Sequence, residues 1–177
     1  MGIPKHPERG LLFSGLLYSD TFVYSQTIPV LKDMFGEIYY ESPALSWSHS
    51  NFYKEELGLP ILRRFIFFDG IYDPSRLADS KLIANNIEQQ FSIDGKRRIN
   101  IDPGYMTLAK VVLASTKNYS HRIYLDKGIF AELTLINIKG KFQPLLFTYP
   151  DFKETPTLDI FHHVRNMAHS SNVIKLS

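Results

Sequence analysis

The sequence predicts an α+β domain built on an antiparallel sheet. Short apolar or alternating runs typical of strands are separated by two helical segments, in the order strand, helix, strand, strand, helix, strand over residues 11–102. That order is typical of a ferredoxin-like split βαβ unit, in which two helices cover one face of the sheet. Residues 103–177 predict a β-meander and a final helix. We expect one domain, 1–177, with 1–10 as a loose lead-in.

Composition narrows the class of protein before any motif is considered. The chain has no cysteine, which excludes disulfides, thiolate catalysis and cysteine-based zinc or iron–sulfur sites. Its formal net charge of +2 is too small to indicate a nucleic-acid-binding protein. No apolar run approaches the roughly 20 residues that a transmembrane helix needs, and residues 1–10 lack the apolar core of a secretory signal. We therefore expect a cytoplasmic protein with no membrane partner.

The first strand and helix are predicted from one apolar run and its flanks. Residues 11–18 form a short apolar run bounded by turn residues, which predicts a buried strand. Ser19 or Asp20 provides an N-cap for a helix that ends at Phe35, before a glycine. Pro29 predicts an interruption, so that the regular part of the helix begins there.

The next elements complete the strand, strand, helix part of the pattern. Residues 37–47 and 63–71 predict strands, and the polar stretch 49–60 predicts a loop with at most one helical turn. An Asp-Pro pair at residue 73 marks the start of a helix. One face of that helix is marked by spacings of three and four residues, at Leu77, Ser80, Ala84, Ile87 and Phe91.

Residues 96–105 combine strong turn signals with many side chains of the types that bind ligands. A basic, alternating strand ends here in an acid followed by Pro-Gly, which predicts a turn. On a strand, Arg98, Asn100 and Asp102 share one face, and Arg97 lies on the other.

The C-terminal part is predicted as further strands and one helix. For residues 106–116 the leucines and alanines favour a helix, two adjacent valines allow a strand, and periodicity does not separate them. Residues 121–125 and 129–138 flank an Asp-Lys-Gly sequence, which predicts a hairpin with a three-residue loop. Strand character at 142–147 extends the hairpin into the meander, and the last helix begins near residue 155.

Polar side chains around the 96–105 segment predict a ligand site. The guanidinium fork suits phosphates and carboxylates because it donates two parallel hydrogen bonds. An acid at a strand end can act as a general base or hold a hydroxyl group. The candidate catalytic residues are Asp102, His121 and Glu132. The candidate ligand-binding residues are Arg97, Arg98, Asn100, Tyr105, Lys110, Arg122 and Tyr124.

Simpler explanations exist for the same residues. Turn capping alone explains Asp102. In the predicted hairpin residue 122 lies opposite residue 132, so a cross-strand ion pair explains Arg122 and Glu132. A histidine at a strand end is usually polar surface, and a metal held by His121, Asp102 and Glu132 is the less favoured alternative.

Known catalytic motifs are absent. The chain has no Gly-rich phosphate loop, GxGxxG, nucleophile elbow or HExxH, and each absence argues against one enzyme class. Enzymatic activity and the identity of any cofactor stay open, and no metal is predicted.

Aromatic strand residues offer an alternative, an RNA-stacking surface. Sheets of this class stack bases on strand aromatics, but the RNP1-type pattern is missing and aromatic strands more often form core. The residues concerned are Tyr39, Tyr40, Arg63, Arg64, Phe65 and Phe67.

Four stretches of the chain resemble one protein family. The likeness is strongest in KRRINIDPGYMTLAKVVLASTKNYSHRIYLDKGIFAEL and extends to LLFSGLLYSD, RRFIFF and FTYPDF. The family comprises bacterial and archaeal proteins of similar length and is catalogued as a domain of unknown function, number forty-four sixteen. The resemblance implies a domain that stands alone as one unit, and it supplies no activity, cofactor or catalytic residue.

Two functions are expected from these observations. The first is binding of a small anionic ligand, nucleotide-like or phosphate-like, with or without catalysis. The alternative is a non-enzymatic module that contacts a protein or RNA partner, with nucleic acid the less favoured of these.

Overall fold

A computed structural model describes residues 2–174, which form an α+β structure with a nine-stranded antiparallel sheet and four α-helices. The strands are β1 (Leu11–Tyr18), β2 (Ile38–Glu41), β3 (Leu45–Trp47), β4 (Ile61–Phe68), β5 (Ile99–Met106), β6 (Lys110–Ser115), β7 (Ile123–Asp126), β8 (Ile129–Ile138) and β9 (Lys141–Pro144). The helices are α1 (Thr21–Phe35), α2 (Asn51–Leu57), α3 (Leu77–Gln90) and α4 (Thr155–Ser170). Within the described part of the chain, no helix combines the length and apolar character needed to cross a membrane.

Strand β1 lies in the interior of the sheet. Hydrogen-bonded neighbours follow the order β2-β4-β1-β5-β6-β8-β7, while β3 also pairs with β4 and β9 also pairs with β8. All eight residues of β1 are buried, because β4 and β5 cover its two edges and helices cover both faces.

Different helices cover the two faces of the sheet. Side chains of α1 and α3 pack on the face that carries Leu16 and Ile101. Helix α4 packs on the opposite face, where the Phe161 ring lies 5.1 Å from Phe13 and 5.2 Å from Phe65, edge to face in both cases. Such aromatic pairs add about 0.5–1.5 kcal/mol each to the free energy gained from burial.

Helix α1 is continuous, so the interruption expected at Pro29 does not occur. Asp20 is the N-cap, and its carboxylate accepts a hydrogen bond from the Phe22 backbone N–H at 2.8 Å. Thr27 and Leu31, on either side of the proline, are buried against the sheet. Their packing offsets the one backbone hydrogen bond that proline removes.

The segment expected to be a loop contains helix α2. Ser50 caps it by accepting a hydrogen bond from the Phe52 N–H at 3.2 Å. The strand predicted over 37–47 is divided into β2 and β3, which both pair with β4. Helix α2 begins four residues after the end of β3. It carries Tyr53 and Glu56, which lie near the start of β5.

The turn predicted after Asp102 is wrong, because β5 continues to Met106. A glycine is required at position 104 by close packing and not by a turn. A Cβ at this position would lie 2.5 Å from the Val112 carbonyl oxygen and 2.6 Å from the Phe13 ring.

The segment 106–116, for which a helix was favoured, forms the end of β5 and strand β6. Strand β6 pairs with β8, which pairs on its other edge with β7 and, further along, with β9. The β7–β8 hairpin has a two-residue turn at Lys127 and Gly128 (φ 52° and 76°) rather than the three-residue loop expected. Positive φ at both turn residues matches the twist of the flanking strands.

Candidate functional site

Strands β5 and β6 separate after three paired positions, and a cleft opens between them. Strand β5 pairs with β1 over 99–106 but with β6 only over 104–106. Pro103, the next residue, has no N–H to donate. Residues two apart on a strand direct their backbone groups to the same side, so Ile101 also faces the gap.

Side chains of α3 take the place of β6 beside this part of β5. The Ile101 N–H donates to Glu88 Oε1 at 2.6 Å, and the Ile101 carbonyl accepts from Lys81 Nζ at 2.9 Å. The N–H and C=O of Ile101 are therefore hydrogen-bonded although no strand lies on the cleft side of β5.

The β5–β6 cleft has a volume of about 230 Å³. Its cationic lining residues are Arg63, Lys81, Arg97, Lys117 and Arg122. Its anionic lining residues are Asp102, Glu132 and Asp151. Aromatic side chains complete the walls: Trp47, Phe52, Tyr53, Tyr149 and Phe152. Charged groups beside apolar rings are the usual lining of a small-molecule site.

Arg63 is a buried guanidinium held from one side. Its Nε donates to Asp151 Oδ2 at 3.0 Å, and its Nη2 pairs with the same oxygen. The Phe65 and Phe152 rings lie 5.2 and 5.5 Å from its carbon Cζ. Gly15 gives it room, since a Cβ there would lie 2.9 Å from Nη1. These contacts fix the guanidinium in one orientation.

Asp102 lies at the centre of a hydrogen-bonded chain on β5. Its Oδ2 accepts from Asn100 Nδ2 at 2.7 Å, and its Oδ1 accepts from Lys81 Nζ at 3.1 Å. Arg97 Nη1 donates to Asn100 Oδ1 at 2.8 Å. Burial disfavours the charged form of Asp102, but Lys81 and Arg63 outweigh it and hold the pKa of the carboxyl below its ordinary value.

The lowered pKa of Asp102 makes stability depend on pH in acid. Because the folded pKa lies below the ordinary 3.8, the stabilisation is present above that value and is lost as pH falls through the folded pKa. We expect the unfolding free energy, measured in urea between about pH 6 and pH 2, to fall less steeply for Asp102→Asn than for wild type. Exposed Asp33→Asn is the control and keeps the wild-type slope. Equal slopes for wild type and Asp102→Asn would contradict this expectation.

Arg97 and Tyr53 close one end of the cleft. Arg97 donates from Nε and Nη2 to the two carboxylate oxygens of Glu56 at 2.6 and 2.7 Å. Its Cζ lies 5.9 Å from the centroid of the Tyr53 ring. Burial and the nearby Asp102 charge raise the pKa of Tyr53. Tyr53 therefore stays a neutral phenol at physiological pH.

Arg122 and Glu132 close the other end. Arg122 donates from Nε to Glu132 Oε2 at 2.8 Å and from Nη2 to the Tyr149 hydroxyl at 2.6 Å, and its Nη2 lies 2.7 Å from Glu132 Oε2 as an ion pair. Its Nη1 donates to Ser115 Oγ at 2.6 Å and to the Lys117 carbonyl at 3.1 Å. The predicted cross-strand pair is present, but it is buried rather than on the surface.

Two polar atoms of cleft-lining residues have no hydrogen-bond partner within the protein. Among the buried side-chain nitrogens and oxygens of residues 2–174, four lack one. Two of the four, Arg63 Nη1 and Glu132 Oε1, belong to cleft-lining residues. Arg63 is 5% exposed and Glu132 is 2% exposed. Because a buried donor or acceptor left unpaired costs about 1–3 kcal/mol, both atoms mark places where a ligand group would gain free energy.

A family model described as Domain of unknown function (DUF4416) matches residues 8–167. The chain belongs to this family. No curated protein and no solved structure matches it. The resemblance seen in the sequence is thus confirmed, and the matched range contains every residue that lines the cleft of this DUF4416 domain.

Five of the ten predicted site residues line the cleft of the DUF4416 domain. They are Arg97, Asn100, Asp102, Arg122 and Glu132. His121 lies just outside, where its Nε2 is 3.2 Å from Glu132 Oε2 and its ring stacks on Phe147 at 4.6 Å. Among residues 2–174, no group of three His, Cys, Asp or Glu residues is arranged to hold a metal, so His121, Asp102 and Glu132 do not form the metal site considered above.

Four predicted site residues lie away from the cleft. Arg98 pairs with Asp20 at 2.7 Å, because β5 begins only at residue 99 and the predicted alternation does not extend to it. Tyr105 packs on the opposite face of the sheet, against Tyr72. Lys110 and Tyr124 are exposed at the start of β6 and on β7.

Sequence reasoning did not identify Arg63, Lys81 and Asp151 as residues of this site. Each is distant in sequence from the 96–105 segment, and the sheet and α3 bring them to it. One signal was available for Arg63, which shares a strand face with Phe65 and Phe67. An arginine on a face of buried phenylalanines needs a buried carboxylate partner.

The aromatic strand residues do not form an RNA-stacking surface on β4. Phe65 and Phe67 are fully buried under α4, and Tyr40 packs against the same core. Phe65 and Phe67 are therefore core residues whose rings are not accessible to bases.

Proposed function

We propose that the β5–β6 cleft binds a small ligand through an anionic or carbonyl oxygen placed on Arg63. The single observation that carries the proposal is the buried Arg63 guanidinium, which is fixed by Asp151 while its Nη1 has no partner within the protein. Asp102 and Glu132, the two candidate catalytic carboxylates in the cleft, would then face the bound molecule.

The charges around the cleft support an anionic group on the ligand. Five cationic and three anionic side chains line it. Much of this charge is already paired within the protein. Four of the five N–H donors of Arg122 are used by protein acceptors. Four of the five of Arg97 are also used. Arg63 is therefore the guanidinium best able to receive an incoming oxygen.

The size of the cleft supports a compact ligand. Pockets for drug-sized ligands are about 300–1,000 Å³, and this cleft is about 230 Å³. A mononucleotide fragment, a phosphorylated metabolite or a small carboxylate fits this volume better than a dinucleotide.

A thermal-shift screen of inorganic phosphate, nucleotides, phosphorylated metabolites and small carboxylates tests the proposal. We expect at least one compound to raise the melting temperature of the wild type. Arg63→Lys keeps a charge beside Asp151 but removes the free Nη1, so it should weaken that binding at least tenfold. Arg98→Lys, which alters an arginine–aspartate pair outside the cleft, is the matched control and should bind like wild type. No stabilisation by any compound, or equal binding by both variants and wild type, would refute the proposal.

The fold type and the cellular location are also inferred. We infer that residues 11–106 form a ferredoxin-like unit, for which the strand order β2-β4-β1-β5 with α1 and α3 on one face is the support. We also infer that β7 to β9 extend it as a meander-like addition and that the protein acts in the cytoplasm.

A second candidate function is a protein-interaction module. Edge strand β7 carries Ile123, Tyr124 and Leu125 in exposed positions, and Ile123 is 72% exposed. An exposed apolar edge strand is a common contact for another chain. A wild-type protein that gains no stability from any compound in the screen would favour this function over the first.

A further inference from the structure

We propose that the ligand of the cleft is elongated and bipolar, with an oxygen acceptor on Arg63 and an N–H donor, preferably an ammonium group, on Glu132. This inference rests on the proposed function and names the class of molecule that would fill the same cleft.

Glu132 is prepared to accept a hydrogen bond from a ligand. Its Oε2 accepts a hydrogen bond from Arg122 Nε and also contacts Arg122 Nη2 and His121, whereas its Oε1 has no partner within the protein. The carboxylate is therefore anchored through one oxygen, and the other is left to accept a hydrogen bond. A charged N–H donor suits this acceptor best, because charge-assisted hydrogen bonds are the strong ones.

Arg63 is prepared to donate in a complementary way. Asp151 occupies the edge of the guanidinium formed by Nε and Nη2. The remaining edge, formed by Nη1 and the second N–H of Nη2, is the one that can grip a carboxylate or phosphate with two parallel bonds. The Nη1 atom lies over Gly15 of β1, where the absence of a side chain makes room for the guanidinium itself.

The sheet sets the separation of these two atoms. Phe13 of β1 is aligned with Gly104 of β5, Leu113 of β6 and Glu132 of β8, so Glu132 lies three strand positions from β1. Arg63 Nη1 lies against Gly15, two residues along β1 from Phe13. At about 4.8 Å per strand and about 3.4 Å per residue, the backbones of Gly15 and Glu132 are about 16 Å apart. Allowing for the reach of the Glu132 side chain and for a hydrogen bond of about 2.9 Å at each end, the ligand's oxygen and nitrogen lie roughly 5–10 Å apart.

This spacing excludes α-amino acids, in which the two groups share one carbon, and selects molecules with several atoms between them. Linear ω-amino acids are the simplest members of the class. Asp102 and Lys81 lie between the two ends and would contact the middle of such a molecule.

Isothermal titration calorimetry of the full chain with glycine, 4-aminobutyrate, 5-aminopentanoate, butanoate and butylamine tests the proposal. We expect 4-aminobutyrate or 5-aminopentanoate to bind at least tenfold more tightly than glycine, which is too short, and than butanoate and butylamine, which each lack one end. If butanoate or inorganic phosphate binds through Arg63 and the amino group adds nothing, the bipolar ligand is refuted while the proposed function stands. If none of these probes binds and the anion screen is also negative, both are refuted.

Glu132→Gln provides a second, independent measurement. With its amide oxygen on Arg122, the glutamine turns its NH₂ group toward the cleft and converts the acceptor into a donor. We expect binding of the ω-amino acid to fall at least tenfold and that of butanoate to stay unchanged. An equal change for both probes would overturn the proposal. If this variant does not fold, the wild-type series alone decides the question.

Discussion

Asp151→Ala is expected to lower the free energy of unfolding by about 3–5 kcal/mol, because it leaves the Arg63 guanidinium buried without its carboxylate. Both side chains of this ion pair are less than a tenth exposed. Trp47 Nε1 also donates to the lost carboxylate, at 3.2 Å, and would be left unpaired. Urea denaturation monitored by circular dichroism measures the effect.

Glu37→Ala is the control for this result. It removes an ion pair with Lys32 of 2.6 Å whose side chains are 39% and 75% exposed, so a loss below about 1 kcal/mol is expected. Replacing Arg63 by Met and Asp151 by Leu together should recover most of the loss, since a buried ion pair is often no more stabilising than apolar side chains of similar volume. A loss for Asp151→Ala as small as that of the control would show that water reaches Arg63 freely.

Gly104→Ala is expected to cost about 1–3 kcal/mol or more, because the added methyl group has no space. It would meet the carbonyl oxygen of Val112 and the ring of Phe13 at distances below 3 Å, and both are fixed within the sheet core. Gly2→Ala, at a position with nothing within 4 Å, is the matched control and should leave the melting temperature unchanged. A Gly104→Ala protein as stable as wild type would mean that β5 and β6 can move apart at little cost.

The sequence predicted the elements that carry a local signal. Three features are determined by neighbouring residues alone: the apolar run of β1, the Asp-Pro start before α3 and the glycine turn before β8. Prediction went wrong where packing overrode local preference. Pro103 and Gly104 predict a turn, yet both lie within β5. Pro103 has no N–H to donate on the side of the cleft, and Gly104 leaves room for the Phe13 ring. The leucines and alanines of β6 favour a helix in isolation and form a strand because β5 and β8 flank them.

The candidate site could be predicted only where its residues lie close together in sequence. Asn100 and Asp102 were found because they alternate on a single strand. Arg63, Lys81 and Asp151 come from β4, α3 and the segment before α4, and no sequence spacing connects them. The sequence could not show that Arg97 lies in the cleft and Arg98 outside it. Both precede β5, which begins at Ile99, so strand alternation assigns neither of them to a face of the sheet.

The Ile101 backbone, bonded to Glu88 and Lys81 instead of to a strand, has a consequence for how the protein behaves at high concentration. A gap in a sheet normally exposes donors and acceptors that invite a strand from another molecule, which is a route to domain exchange and fibre growth. Here a carboxylate and an ammonium group from α3 occupy both backbone groups of Ile101. At Ile101 the opening in the sheet therefore offers no free donor or acceptor to a strand from another molecule.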